Sequence, residues 1–166
     1  MTELAEFVPF NFSVNLLGEK GDILCSGMFS EVSGLEMNME PYAIQEGGKT
    51  WGETQRVGYT KFSPIVLRRG VTHVNDLWAW FDTTAQLDYG QRMQGTIDVL
   101  SNHIELDKEG TTQERKILMT WSLVNVLPTR FKGADLSSNA SQVGIEEVTL
   151  IHESIRLIVP KAKGAA

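Results

Sequence analysis

The chain has 166 residues, 42% hydrophobic and 22% charged, a composition typical of one globular domain, which we place at residues 1–166. Its formal net charge of −6 argues against a protein that wraps nucleic acid, because neutralisation of phosphates supplies most of that affinity. The single Cys25 excludes an internal disulfide and metal sites of the paired-cysteine type. The sequence has no apolar run of about 18 residues, so we expect no membrane span. It begins with an acidic segment, so we expect no signal peptide and we expect synthesis in the cytoplasm.

The first half of the chain alternates apolar and polar residues, the period of a half-buried β-strand. We predict strands over residues 10–16, 23–29, 35–42 and 60–69. Residues 45–58 break the alternation and predict a long exposed loop. Pro64 removes a ladder donor from the fourth strand, which predicts an edge or a bulge there.

One helix follows these strands. Asn75 can cap it, Asp76 suits its first turn, and Gly90 follows as a stop signal. The apolar stripe that we expect to face the core is Leu77, Trp78, Phe81 and Ala85. Trp80 lies on a second side of the helix, where it could meet a neighbour.

Three more strands are predicted, over residues 93–100, 116–126 and 143–159, the second of them apolar on both faces. Residues 131–142 form a loop, and residues 160–166 are expected to be a flexible tail. The fold class is therefore mainly β: an antiparallel β-barrel or sandwich of about seven or more strands with one flanking α-helix.

Residues that could carry chemistry are scattered. His73, His103 and His152 show no metal-ligand spacing, and Cys25 fits a small core residue better than a nucleophile. Glu146 and Glu147 are adjacent on a strand, so they point to opposite faces and cannot serve one site. We expect no catalytic residue, no metal and no cofactor.

Tryptophan positions suggest packing and association. Trp78 and Trp121 fall on apolar faces and are predicted to lie in the core. Trp51 lies in the polar loop and is a candidate anchor for another subunit.

Ordered motifs from about residue 10 to residue 153 resemble the tail-tube proteins of contractile phage tails and phage-like contractile injection systems. The segments that carry the resemblance are residues 29–36 (FSEVSGLE), Tyr42 with residues 46–48 (EGG), Lys61, residues 67–72 (LRRGVT), 77–80 (LWAW), 121–128 (WSLVNVLP), 132–136 (KGADL), 143–148 (VGIEEV) and 152–153 (HE). Trp78, Trp121 and Pro128 are the core positions of these motifs. Residues 50–58 and 107–115 look longer or more polar than usual in the family.

The resemblance implies a non-enzymatic structural subunit. Six copies form a ring whose inner strands join into one barrel, rings stack into a tube, and a contractile sheath surrounds the tube. The implied partners are the chain itself, the sheath, baseplate and terminator proteins, and DNA or toxin cargo that passes through the lumen without specific binding. The implied location is a virion tail or an injection particle.

Two surfaces of such a subunit can be assigned from the strand pattern. The candidates for the lumen wall are the polar sides of two strands: Glu36, Asn38, Glu40, Gln94, Thr96 and Asp98. The candidate for contact between stacked rings is the Gly-rich loop, with Glu46, Gly47, Gly48, Lys49 and Trp51. The loop over residues 131–142 is a second stacking candidate.

Three other functions stay open at this point. A tube initiator of the baseplate has the same fold and motifs. A ligand-carrying β-barrel would be a stable monomer with an apolar pocket. An enzyme on a β-barrel scaffold would need a convergent polar cluster, which the sequence does not offer.

Overall fold

The computed structural model describes residues 11–18, 21, 23–27, 29–48, 51–86, 92–106, 113–138 and 143–160. These residues form ten β-strands and one α-helix. In chain order they are β1 (Phe12–Leu17), β2 (Ile23–Gly27), β3 (Glu31–Ser33), β4 (Met37–Ile44), β5 (Thr54–Phe62), β6 (Ile65–Gly70), α1 (Asp76–Ala85), β7 (Met93–Leu106), β8 (Gln113–Lys132), β9 (Ile145–Ile151) and β10 (Ser154–Ile158). The predicted mainly β class with one helix is confirmed.

Eight strands form one antiparallel arrangement in the order β2-β1-β7-β8-β9-β6-β3, with β10 also paired to β8. The 20-residue strand β8 connects its two halves. Residues 120–124 of β8 pair with β10, whereas residues 127–132 pair with β9 on the same side. Asn125 lies between these two stretches with φ 54, a left-handed conformation that Asn tolerates better than most residues. The strand therefore changes partner at Asn125.

A single hydrophobic cluster fills the space between the strands and the helix. The strands contribute alternate residues to it, as in β6, where Ile65 and Leu67 are fully buried and Val66 between them is only partly buried. Leu16, Ile97 and Leu123 are also fully buried and meet in this cluster from β1, β7 and β8. The strands therefore enclose one core, as expected for the barrel or sandwich that the sequence predicts.

The buried side of α1 differs from the predicted one. Leu77, Trp80 and Thr84 are buried, whereas Trp78 is 48% exposed. The assignment of Trp78 to the core was wrong. Trp80, which was predicted on a second side of the helix where it could meet a neighbour, instead faces the core. The spacing i, i+3, i+7 of the buried set puts these three residues on one helix face, and Trp78 lies 100° away from Leu77 around the axis.

The start of α1 is also different. Asn75 makes no side-chain capping bond; its backbone carbonyl accepts from the Ala79 amide at 2.9 Å. The Asp76 carboxylate instead accepts from the Leu77 amide at 2.9 Å, which serves one of the free N–H groups of the first turn. The predicted stop at Gly90 lies outside the described residues.

Strands β4 and β5 form a separate two-stranded antiparallel sheet, paired from Met37–Phe62 to Ile44–Thr54. The predicted loop over residues 45–58 was wrong in its second part, because residues 54–58 belong to β5. The predicted strand over residues 60–69 is in fact the end of β5 and all of β6, separated at Ser63 and Pro64. Proline has no N–H for the ladder, which explains why the break falls there.

The last predicted strand is also divided. Within residues 143–159, the strands are β9 (Ile145–Ile151) and β10 (Ser154–Ile158), separated at His152 and Glu153. The loop predicted over residues 131–142 begins later, since β8 continues to Lys132. The central strand is not buried on both faces as predicted: Leu123 is 2% exposed, but Ile117 and Leu118 are 42% and 36% exposed.

Candidate assembly surfaces

The β4–β5 hairpin exposes large apolar side chains on both of its faces. They are Met37, Met39, Tyr42, Val57 and Tyr59, the last 94% exposed. An isolated two-stranded hairpin is marginally stable in water, and exposed apolar side chains of this size favour contact with a partner. The hairpin is therefore the first candidate for a surface that is covered on assembly.

The turn of this hairpin contains the residues that the sequence analysis assigned to ring stacking. Glu46, Gly47 and Gly48 are exposed, Trp51 is 88% exposed, and Lys49 lies outside the described residues. Gly48 has φ 92, a conformation that glycine adopts without strain. The stacking candidates thus lie at the end of a projecting hairpin and not in an irregular loop.

Most side chains on the outer side of β1, β7, β8 and β10 are polar, apart from apolar residues such as Ile158 opposite Thr120, and we call this side the polar face. Strand register places six side chains side by side on it: Asn15, Thr96, Asp98, Thr120, Ser122 and Arg156. Asp98 accepts from the Thr120 hydroxyl at 2.6 Å and from the Asn15 amide at 3.4 Å. Two of the lumen candidates, Thr96 and Asp98, lie on this face. The third on this strand, Gln94, is exposed near its start.

The other lumen candidates belong to the β4–β5 hairpin and its base, which form a different sheet from the strands of the polar face. Glu36, Asn38 and Glu40 are exposed, and Glu40 makes a 2.6 Å ion pair with Lys61 of β5. The sequence analysis took them as the polar side of a strand whose other side is buried. That premise was wrong, because Met37 and Met39 on the opposite side are also exposed. The two candidate sets therefore belong to two different sheets.

Two strand edges that flank the polar face are open. Among the described residues, β2 pairs with β1 alone and β10 pairs with β8 alone. An open edge presents free N–H and C=O groups that can pair with another chain. The half-sheet β2-β1-β7-β8-β10 could therefore be extended at either end by a second copy.

A buried ion cluster fixes α1 to the sheet. Arg69 of β6 points into the core and is 7% exposed. Its guanidinium forms ion pairs with Glu146 of β9 and Asp76 of α1 and lies 5.8 Å from the centre of the Phe29 ring. It also donates to the Val74 carbonyl at 3.3 Å. Because charges out of water need partners of this kind, the cluster dictates where the helix lies.

The neighbours of this cluster have shifted acid–base properties. Burial, followed by the Asp76 carboxylate as a nearby charge and hydrogen-bond partner, raises the pKa of the Cys25 thiol to about 12. Burial alone would raise the pKa of Asp76, but hydrogen bonds from Arg69 and Cys25 outweigh it, so the pKa of Asp76 is lowered. Cys25 is 2% exposed, in line with its predicted core position. A protonated, buried thiol is a poor nucleophile.

The opposite face of the same strand carries a second, exposed charge group. Arg68 contacts Glu147 at 2.8 Å and Glu31 at 2.9 Å, and Arg130 approaches Glu147 at 3.5 Å. An open cleft of about 420 Å³ lies beside them, lined partly by Lys132 and by charges of both signs. Glu146 and Glu147 thus point to opposite faces, as the sequence analysis expected.

The three family-motif positions lie in different environments. Pro128 is buried in β8, Trp121 is partly buried against the core, and Trp78 is exposed. The Trp78 ring contacts Phe131 edge-on with centroids 5.3 Å apart, and Phe81 lies beside both. Trp78 therefore belongs to an outer aromatic group that covers the end of β8.

The described ranges offer no group of three His, Cys, Asp or Glu residues that could hold a metal ion. In the same part of the chain, no helix is long and apolar enough to cross a membrane. His152 is buried and hydrogen-bonded, whereas His73 is exposed. The side chain of His103 lies outside the described set.

Sequence reasoning missed two features of these surfaces. It did not identify Val57 and Tyr59 as exposed strand residues, because Gly47, Gly48 and their polar neighbours predicted a loop that extends to residue 58. It also missed Arg69 as a buried charge. A signal for Arg69 existed: the adjacent pair Arg68–Arg69 matches the adjacent pair Glu146–Glu147, and opposed strands bring the two pairs together.

Comparison with known proteins identifies the family to which the chain belongs. No match was found among curated proteins. Among solved structures, the chain is similar to one in the cryo-EM structure of the anti-feeding prophage baseplate, with TM-score 0.76, 24% identity and coverage of 93% of this chain and 97% of that one. It is also similar to a chain in the cryo-EM structure of the PVC sheath–tube complex of an extracellular contractile injection system, with TM-score 0.72, 21% identity and 95% of both chains covered.

A crystal structure of an Hcp protein matches with TM-score 0.54 and 9% identity over 91% of this chain and 93% of that one. At such identities, these likenesses establish the fold. The model of the T4-like virus tail tube protein gp19 family matches residues 8–156, nearly the whole chain. The chain therefore belongs to the T4-like virus tail tube protein gp19 family.

Proposed function

We propose that the chain is the structural subunit of the inner tube of a contractile tail or injection system. Six copies form a ring, and stacked rings enclose a lumen through which DNA or a protein passes. The observation that carries this proposal is the β4–β5 hairpin, whose Met, Tyr and Val side chains are in water on both faces of a single chain. Such a hairpin is suited to self-association and not to a monomeric carrier protein.

The open edges of β2 and β10 support closure of a ring. In a closed ring of identical head-to-tail contacts, the β10 edge of one copy meets the β2 edge of the next, so both edges that flank the polar face are paired. The polar face would then line the lumen, with Thr96 and Asp98 on its wall. Asp98 and Arg156 place charges of both signs there, so the wall would let cargo slide without holding it.

The outer side of such a tube is proposed to face a sheath, and its ends a baseplate and a terminator. Two of the similar solved structures support this set of partners by their composition, a sheath–tube complex and a sheath/tube terminator. A tube initiator is the second candidate, favoured by the similarity to a chain of a baseplate. A main tube subunit should polymerise into long tubes, whereas an initiator should stop at one or two rings.

Negative-stain electron microscopy of the purified protein, with mass measurement, tests the proposal. We expect six-fold rings or tubes with a central channel. A monomer that persists at high concentration would refute the proposal and favour a ligand-carrying barrel.

A matched pair of variants tests the hairpin. Val57 of the hairpin is 65% exposed and Val74 before α1 is 60% exposed. Val57→Ser and Val74→Ser therefore make the same chemical change at two positions of similar exposure. We expect Val57→Ser to weaken assembly and Val74→Ser to leave it unchanged.

Removal of residues 47–51 should leave a folded subunit whose rings do not stack, and normal tubes from that variant would exclude the turn from stacking.

A further inference from the structure

The base of the β4–β5 hairpin is held by a few specific contacts. Among the described residues, β4 and β5 have no strand partner besides each other. The Ser63 amide donates to the Glu36 carbonyl at 3.2 Å, and Leu35 and Phe62 pack partly against the core. The direction in which the hairpin projects therefore depends on how Ser63 and Phe62 are fixed to the rest of the molecule.

His152 makes contact with both of these residues. It is 9% exposed and lies at the break between β9 and β10. Its Nε2 lies 3.2 Å from the Ser63 carbonyl oxygen, and its ring is 5.4 Å from the Phe62 ring. Because a carbonyl oxygen only accepts, Nε2 must carry the hydrogen of this bond.

The second ring nitrogen of His152 has no such partner. Nδ1 is buried without a hydrogen bond within the described part of the chain. A buried polar atom without a partner lowers stability, so an aromatic hydrocarbon of similar shape would suit the packing better. What histidine adds at this position is the hydrogen bond from Nε2 to Ser63.

The next residue fixes the junction to β8. The Glu153 amide donates to the Val124 carbonyl at 3.0 Å, and its carboxylate accepts from Asn125 Nδ2 at 2.6 Å and pairs with Arg92. These contacts lie where β8 changes partner. Strand β10, with its open edge, begins one residue later.

We propose that His152 is a positioning residue that sets the direction of the β4–β5 hairpin relative to the β10 edge through its Nε2 bond to the Ser63 carbonyl. The proposal rests on the function proposed above, because a defined direction matters only if the hairpin and the edge contact neighbouring copies. The two surfaces are then held at a fixed angle by consecutive residues of one junction. Without the bond, only a fraction of subunits would present the hairpin in the competent direction.

His152→Phe and His152→Gln test this role. Phenylalanine keeps the ring next to Phe62 but cannot donate, whereas glutamine can place an amide N–H near the position of Nε2. His73→Phe is the matched control, because His73 is exposed and lies before α1. Spin labels at Tyr59→Cys on the hairpin and Lys116→Cys on β8 report the hairpin direction by electron-spin distance measurement. The distances are measured on dilute, unassembled subunits, in which the buried Cys25 stays unlabelled.

We expect His152→Phe to unfold in urea at the wild-type midpoint or above, yet to show a broader distance distribution. If about a tenth of its subunits hold the competent direction, the concentration needed for assembly rises about tenfold. His152→Gln should restore both readouts, and His73→Phe should change neither.

A wild-type distance distribution in His152→Phe would overturn the positioning role, whatever happens to assembly. A broadened distribution with unchanged assembly would overturn the link between hairpin direction and assembly. If the wild-type protein itself does not assemble, the proposed function fails, and the distance comparison still decides whether His152 positions the hairpin.

Discussion

Replacement of Arg69 by methionine tests the physical account of the buried ion cluster. The change leaves the carboxylates of Asp76 and Glu146 without their cation, and these side chains are only 15% and 12% exposed. Removal of one partner of a buried ion pair typically costs about 3–5 kcal/mol, because the remaining charge has been taken out of water without compensation. We therefore expect Arg69→Met to lower the free energy of unfolding by about that amount.

Arg68→Met is the matched control, since Arg68 is the preceding residue of the same strand. Its side chain is 42% exposed and its partner Glu31 is 50% exposed. Its second partner, Glu147, is 15% exposed but keeps Arg130 at 3.5 Å, so its charge is not left without a cation. Exposed ion pairs contribute about 0–1 kcal/mol, so this variant should be nearly neutral. The assay is urea unfolding followed by tryptophan fluorescence, at one low protein concentration so that assembly does not contribute.

The pH dependence gives the prediction a second test. The lowered pKa of Asp76 means that its contribution to stability is complete at neutral pH. It is lost as the pH falls from about 3.9, the usual value in an unfolded chain, through the lower folded value. Without Arg69, burial should raise the pKa of Asp76 above its usual range. The deficit of Arg69→Met should therefore be smaller at pH 4 than at pH 7. A loss of less than about 1 kcal/mol relative to Arg68→Met, or a deficit independent of pH, would refute this reasoning.

Three further changes test other parts of the structure. Trp80→Ala should cost about 3–5 kcal/mol in urea unfolding, whereas Trp78→Ala should cost less than about 2 kcal/mol; equal losses would contradict the assigned helix orientation. Gly34→Ala should cost at least about 3 kcal/mol, because Gly34 has φ 90 and an added Cβ would lie 2.0 Å from the Pro64 carbonyl oxygen. The Cys25 thiol, with its pKa of about 12, should not react with a disulfide reagent at pH 8 until the protein unfolds. Fast reaction of the native protein would show that Cys25 is accessible.

Alternation found the strands that lie against the core and also β4, where Met37 and Met39 alternate with polar residues although both are exposed. It missed most of β5. In β6 the inward residues Ile65 and Leu67 alternate with outward ones, and the sequence analysis placed a strand there. Strand β5 is in contact with water on both faces, so most of its residues are polar and its sequence resembles that of a surface loop. The pattern therefore marks strands with a regular apolar side, whether that side is buried or exposed in the single chain.

The orientation of α1 and the partners of Arg69 could not be predicted for a different reason. A helix that starts with Leu77, Trp78 and Trp80 offers two apolar faces of similar size, and the choice depends on what the sheet presents. Here the Arg69 ion pair with Asp76 fixes the helix so that Trp80 faces inward. Such a choice requires tertiary contacts that local periodicity does not contain.

The antiparallel pairing of β1 with β7 also has a consequence for synthesis on the ribosome. Asn15 and Asp98, neighbours on the polar face, are 83 residues apart in the chain. At roughly 5–20 residues per second, β7 is made about 4–17 s after β1. During that interval, β1 can pair with β2 but not with β7, so the nascent chain carries a hairpin with one open edge and with Val14 and Leu16 uncovered. Chaperone contact with residues 1–75, before the helix and β7 emerge, would shield that hairpin.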